Sequence, residues 1–302
     1  MTDLSAALAE PTAQQLEDRK GYDPAFLGIV DVPMPALPPD VPTVLLPYLH
    51  YSVLFRPDRR FAAATAVAMD GAHMFSLERS DRWLLDPRLA AELQAGPAVY
   101  AHNDLDRGHL VRRASSTWGD TEEEARQAEV ETFYFTNAAP QAALFNQGHE
   151  LWLGLEDYLQ EHAQAFDRKL AVFAGPVFHV GDPPYRGILI PLRFWKIAAF
   201  IQDGQLAATG YLLDQTPLVH DRDAAFQAAA EAGELPPLGA YRTFQLPIAD
   251  IATLTGLGLD QLAAVDLLPT EPSFAPPPPG EVGPGWVQLR SLEDVVTRAS
   301  AP

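Results

Sequence analysis

The sequence predicts an α+β fold built on a mixed or antiparallel central sheet with flanking helices. Three observations carry that reading. Apolar runs of strand length recur along the chain and are bounded by Gly and Pro, among them YSVLF, FAAATAVAMDG, KLAVFAGPVF and ILIPLRFWKIAAFI. Helical patterns fall between some of these runs without a strict strand–helix–strand period. The 302 residues are 47% hydrophobic and 20% charged, an ordinary balance for a globular chain with a sizeable core.

Residues 1–45 read as an N-terminal arm. PMPALPPDVPTVLLP carries six prolines and cannot form a regular helix. The arm is either a linker or a segment packed on the body or on a partner subunit. From Tyr48 the texture changes: YSVLF and FAAATAVAMDG, split by RPDRR, read as a hairpin or two neighbouring strands. DPRLAAELQ is a short helix candidate with Asp86 as N-cap and Pro87 at its first position. TEEEARQAEVE is polar and either helical or irregular, and FYFTN is an aromatic strand candidate. LWLGLEDYLQEHAQAF is the best helix by pattern, with Leu151, Leu155, Leu159 and Phe166 near one stripe. TGYLLD is a further strand. DAAFQAAAEAG reads as a helix stopped at Gly233, and PIADIATLTGLGL as a short helix with Asp250 near its start. APPPPGEVGPG opens an irregular proline-rich C-terminal tail, 271–302, in which SLEDVV is a final turn. The domain body spans 46–270, and no internal repeat is found.

The chain has no cysteine, which excludes disulfides, thiolate metal sites and cysteine nucleophiles. No apolar run reaches the length of a membrane-spanning helix, and the N-terminus lacks the basic start and apolar stretch of a secretory signal. The expected location is cytoplasmic, with specialised export open and no membrane partner. Formal net charge is -19, which disfavours broad adhesion to nucleic acid. The acidity is uneven: residues 201–302 hold 13 Asp/Glu against 4 Arg and no Lys.

Several catalytic patterns fail on inspection. TGLGLD has Gly256 and Gly258 but Gln261 where a dinucleotide fingerprint needs its third glycine, and His149-Glu150 is followed by Leu153 where a zinc-protease motif needs histidine. No GxSxG elbow or phosphate-binding Walker loop is present. His102, His149 and His179 lack supporting neighbours and read as structural.

DRGHLVRR, residues 106–113, is different. It sets His109 among Arg107, Arg112 and Arg113 in an otherwise acidic chain. Neutral imidazole can take a proton from water, and arginine clamps phosphate oxygens through paired donors. Phosphodiester hydrolysis also needs charge compensation, which Mg²⁺ supplies using few protein oxygens. ETFYFTNAAPQAALFNQGHELWLGLEDY offers asparagine carbonyls and carboxylates for that purpose.

DRGHL, then FYFTNAAPQ, FNQG and WLGLEDY, resembles the DNA/RNA non-specific endonuclease family, which includes mitochondrial endonuclease G-like enzymes. Upstream, YSVLFRPDRRFAAATAVAMDG and DRWLLDPRL support the resemblance, as do FAGPVF, IPLRFWKI and YRTFQLPIADIATLTGL downstream. It covers roughly residues 46–265. The resemblance implies a ββα-metal (His-Me finger) active site with a single Mg²⁺, Mn²⁺ being a possible substitute. It implies that His109 is general base on water and that Arg107 holds phosphate or the transition state. Asn146 would bind the metal directly. Asn137 would support the histidine or the metal waters. Glu156 would orient metal-bound water. Arg79 or Arg82 would match an upstream phosphate contact, with Arg112 and Arg113 accessory. Two departures stand out. Val111, Arg112 and Arg113 replace the small residue and proline that often follow DRGH. Ten positions separate Asn146 from Glu156 where eight are common, and on a helix this turns the side chain by about 280° instead of about 80°. Glu150 is the reserve candidate.

The implied activity is Mg²⁺-dependent hydrolysis of DNA and/or RNA with weak sequence preference, because backbone phosphate carries no base identity. Two alternatives remain at this level: a metal-dependent phosphodiesterase for a small nucleotide, and a non-catalytic interaction protein on the nuclease fold. A homodimer, and a regulatory or inhibitor protein that restrains the enzyme, are the other partners expected.

Overall fold

The computed structural model describes residues 10–142, 168–268, 277–291 and 294–296. Its frame is an eight-stranded sheet. The strands are β1 (Val44–Pro47), β2 (Tyr51–Arg56), β3 (Phe61–Asp70), β6 (Lys169–Val177), β9 (Arg193–Gln202), β10 (Gln205–Asp214), β11 (Arg242–Leu246) and β12 (Val287–Leu289), hydrogen-bonded in that spatial order. Every ladder in it is antiparallel. Two small ladders stand apart: β4 (Leu105–His109) with β5 (Ala138–Ala142), and β7 (Pro184–Tyr185) with β8 (Ile188–Leu189).

The central strands are apolar on both sides because both faces of the sheet are covered. Successive residues alternate between two cores: Leu170 and Val172 enter one, Ala171 and Phe173 the other. Phe194 and Ala198 likewise face the first, and Trp195, Ile197 and Ala199 the second. All ten residues of β3 are buried, which explains why FAAATAVAMD shows no polar alternation. Turn chemistry sets the registers. Asp203 and Gly204 take φ of 51° and 75°, the two left-handed residues that a tight β9–β10 hairpin requires.

The helices obey the capping signals in their sequences. Arg222–Ala232 starts at Asp221, whose carboxylate accepts the N–H of Ala224, and ends at left-handed Gly233. Ile248–Thr255 ends at left-handed Gly256. Glu122–Glu131 is capped by Thr121.

The N-terminal segment packs on the body: Leu16 joins one core, and Tyr22, Leu27 and Val32 join the other. Within 271–302, β12 completes the sheet beside β11. Of SLEDVV, Asp294 accepts the N–H groups of Arg290 and Ser291, and residues 292–293 lie outside the described set.

Two expected elements are corrected. DPRLAAELQ is not an α-helix; only a 3₁₀ turn, Ala91–Leu93, forms. Asp86 does not cap it, because its carboxylate takes the hydroxyl of Tyr48, the N–H of Arg88 (2.8 Å) and the Arg88 guanidinium (2.6 Å). FYFTN is not a strand. It is a turn with one bridge at Tyr134, followed by a 3₁₀ turn, Phe135–Asn137, and the strand begins at Ala138. The Asn137 side chain bonds Thr132 O at 2.9 Å, which folds this stretch back on itself. LWLGLEDYLQEHAQAF lies outside the described residues.

Candidate active site

DRGH lies on β4, paired with β5 so that Arg107 faces Pro140, Gly108 faces Ala139 and His109 faces Ala138. Side chains two apart on a strand share a side, so Arg107 and His109 project together. The Gln141 side chain lies over Gly108, its Cδ within 2.2 Å of where a Cβ would stand. The ladder is seated on the sheet through Leu105, Leu110 and Ala139, which enter the core containing Tyr51 and Phe61.

Aromatic rings wall the histidine. A parallel bridge forms where Leu84 N–H donates to Phe133 O and Phe135 N–H donates to Leu84 O, both at 2.9 Å. It brings Trp83 to 4.6 Å from the His109 ring, centroid to centroid. Phe133 meets the imidazole edge-on at 4.8 Å. The Arg107 guanidinium lies 5.6 Å from the Trp83 ring centre, a cation–π contact that leaves its charge uncancelled.

His109 is partly exposed as a residue, but its Nε2 is buried and has no hydrogen-bond partner among the described residues. Its pKa is pushed down to about 3, first by removal from water and then by the positive charges of Arg79, Arg113 and Arg107. The ring is therefore neutral at physiological pH. Three arginines from three segments act on one imidazole, which makes the locality a cationic site.

Two of those arginines are placed by Glu129. This buried carboxylate accepts the N–H of Ser80 at 2.8 Å and lies 3.8 Å from the Arg113 guanidinium, which also donates to Leu77 O at 3.2 Å. Burial raises the pKa of Glu129, opposed by its hydrogen bond from Ser80 and by Arg113. Arg79 is exposed and pairs with Asp81 at 2.8 Å. Such a solvated pair is weak and easily exchanged.

Asn137 lies behind the histidine and is fully buried. Its Oδ1 accepts the N–H of Val111 at 2.8 Å, and its Nδ2 donates to Val111 O at 3.0 Å. Its backbone carbonyl accepts the N–H of Leu110 at 2.9 Å. Its amide is thus committed to holding the chain just after His109.

The structure thus gathers His109, Arg107, Arg79 and Arg113, with Asn137 in support. Arg82 pairs with Glu10 and is not among the charges that shift His109. Arg112 is half-buried next to Arg113. Asn146, Glu156 and Glu150 lie outside the described residues. Sequence reading did not single out Tyr100. Its hydroxyl is buried without a partner among the described residues, its ring stacks on Phe135 at 5.8 Å, and with Arg107 it lines a cleft of about 280 Å³. No spacing rule marks such a tyrosine; a buried phenol lacking a partner is visible only in three dimensions.

No group of three or more His, Asp or Glu side chains among the described residues could hold a metal ion. The surroundings of His109 suit an anion. The oxygen donors that suit a hard cation, the Asn146 amide and the Glu156 carboxylate, belong to 143–167. Among the described residues, no helix is long and apolar enough to cross a membrane.

The family model described as DNA/RNA non-specific endonuclease matches residues 35–266. A Sinorhizobium fredii protein named only as uncharacterized protein y4fB is 37% identical over 279 residues, covering 84% of this chain and 41% of that relative. Mitochondrial endonuclease G from Bos taurus and from Homo sapiens are each 26% identical over 146 residues, covering 44% of this chain and 46% of theirs. The chain spans under half the length of each of these relatives.

Proposed function

This chain belongs to the DNA/RNA non-specific endonuclease family, and from that premise we propose that it hydrolyses phosphodiester bonds of DNA and/or RNA with His109 as general base. The observation that carries the reading is the buried Nε2 of a neutral histidine, without a partner among the described residues and under the charges of Arg79, Arg107 and Arg113.

With its proton on Nδ1, the imidazole presents a lone pair at Nε2. Nε2 takes a proton from water as the water oxygen attacks phosphorus. The bond from phosphorus to the 3′ oxygen breaks, that oxygen takes a proton from solvent and His109 returns its own to solvent, leaving a 5′-phosphate and a 3′-hydroxyl. Arg107 and Arg79 hold the non-bridging oxygens, and Arg113 adds charge beside them. Binding the phosphate also offsets the cations that depress His109, so its basicity rises when substrate is in place. Asn137 fixes the strand end that carries the base, and Trp83 and Phe133 restrict its rotation.

Asn146 and Glu156 are the residues that would hold Mg²⁺, or Mn²⁺ in its place. When bound, the ion compensates charge on the phosphoryl group and the departing oxygen. The test is digestion of plasmid DNA and single-stranded RNA with Mg²⁺, with EDTA, and by His109→Ala. Mg²⁺-dependent cleavage lost in both controls is expected. Cleavage that persists in His109→Ala would remove His109 from the role of base.

A further inference from the structure

A second basic cleft of about 540 Å³ opens between the β2–β3 turn, the β7–β8 hairpin and the end of the helix Arg222–Ala232. Its walls include Arg59, Arg60 and Arg186 together with Asp58 and Glu234. Two of these charges are cancelled locally. Asp58 is gripped by Arg56 through contacts of 2.8 and 2.6 Å, and Arg59 lies 3.6 Å from Asp182.

Arg60 and Arg186 are different. Neither forms an ion pair with a carboxylate among the described residues. Their guanidinium groups are held by carbonyls: Arg60 donates to Gln94 O at 2.7 Å and Gly187 O at 3.3 Å, and Arg186 to Ala98 O at 3.0 Å and to Ala101 O. Carbonyls fix orientation without cancelling charge. Arg60 Nε is also buried without a partner among the described residues. Both arginines sit at positive φ, 64° and 44°, a backbone state that disfavours side chains with a Cβ. Two oriented, uncompensated cations on strained turns, in a chain of net charge -19, mark a place built for an anion.

The cleft is joined to the catalytic strand. Ala101, whose carbonyl receives Arg186, shares the smaller cleft with Arg107. Asn103 donates to the Tyr185 hydroxyl at 2.9 Å and accepts the N–H of Leu105 at 3.1 Å, tying the β7–β8 hairpin to the start of β4. The segment 97–105 thus touches both cationic sites.

We infer that Arg60 and Arg186 form a distal subsite for a backbone phosphate of the nucleic acid strand whose scissile phosphate lies at His109. The inference rests on the nuclease reading for the identity of the strand, and its test does not depend on cleavage. Binding of a fluorescein-labelled DNA duplex is measured by anisotropy in EDTA, across salt concentrations. Arg186→Gln, an exposed position, is expected to weaken binding about tenfold at low salt and to lower the salt slope by about 0.9, the value for one phosphate contact. Glu234→Gln is expected to tighten binding, a gain that misfolding cannot mimic. Unchanged affinity and slope in both variants, no duplex binding by the wild type at low salt, or equal displacement by millimolar inorganic phosphate would each overturn the subsite. A wild type that binds through Arg186 yet cleaves neither DNA nor RNA sinks the nuclease reading and leaves the subsite standing. Cleavage and binding untouched by Arg186→Gln and Glu234→Gln sink the subsite alone.

Discussion

Asn137 and Val111 exchange two hydrogen bonds, with the side-chain amide of Asn137 taking the place of a strand neighbour for the Val111 peptide. Leu110 is tied in as well, through its N–H to the Asn137 carbonyl. Val111, two residues past His109 and beyond the β4–β5 ladder, is thereby held on both of its backbone polar groups. His109, the last residue of β4 in the ladder, is thus followed directly by a clamped segment.

Asn137→Ala is therefore expected to act through stability. It strips Val111 N–H, Val111 O and Thr132 O of their partner in a fully buried place. One buried group left unsatisfied costs about 1–3 kcal/mol, so a loss of about 3 kcal/mol overall is expected. Urea unfolding reads it as a lower midpoint at unchanged slope. A midpoint equal to the wild type would show that the amide does not hold the loop.

His109→Ala is expected to separate activity from folding. The imidazole makes no hydrogen bond at Nε2 among the described residues, so its removal costs packing against Trp83 and Phe133 alone. Loss of a general base lowers the rate by about 10²–10⁴. Single-turnover cleavage at saturating Mg²⁺ measures the drop, and thermal unfolding confirms the fold. A loss below tenfold would assign proton removal to another group.

The two upstream arginines are expected to behave differently. Arg79 acts on His109 by its charge, and Arg82 pairs with Glu10. Arg79→Gln should raise the His109 pKa from its depressed value and lower kcat/KM about tenfold or more; Arg82→Gln should leave both near the wild type. Histidine ring NMR gives the titration. Equal shifts in the two variants would mean that neither arginine is specific to the site.

The contrast between these arginines also shows where sequence reading stops. The hairpin β2–β3, the helix stop at Gly233, and the DRGH knot were legible because each rests on local rules: strand-length apolar runs, left-handed glycine and charge adjacency. FYFTN and DPRLAAELQ were not, because distant partners decide them: Asn137 reaches Val111, and Tyr48 claims Asp86. Arg79 and Arg82 are three residues apart in one irregular segment, and distant partners, Glu129 on a later helix among them, fix the stretch to which they belong. Trp83 owes its place beside His109 to a single parallel bridge, which leaves no periodic mark.

Acid should destabilise the fold through its buried histidines. The His50 pKa is pushed down to about 4, mainly by burial, and that of His109 to about 3. Unfolding returns both to about 6.5. The unfolded chain thus binds more protons below that value, so this stability is complete above about pH 6.5 and is lost as pH falls toward 4 and 3. Asp182 and Asp266 work in the opposite sense. Burial raises each to about 6, so their contribution is complete below about pH 3.8 and is lost as pH rises through about 6. A single total slope therefore mixes two signs, and a variant isolates one of them. His50 sits at φ of 69°, stacked on Trp118 with ring centroids 3.7 Å apart. Asparagine tolerates that backbone and does not titrate. His50→Asn should lower stability at pH 7 through lost stacking. Between about pH 6 and 4.5 its stability should fall less steeply than the wild type's, by up to one proton or about 1.4 kcal/mol per pH unit. Parallel slopes for the two proteins would show that His50 is not buried as a neutral ring.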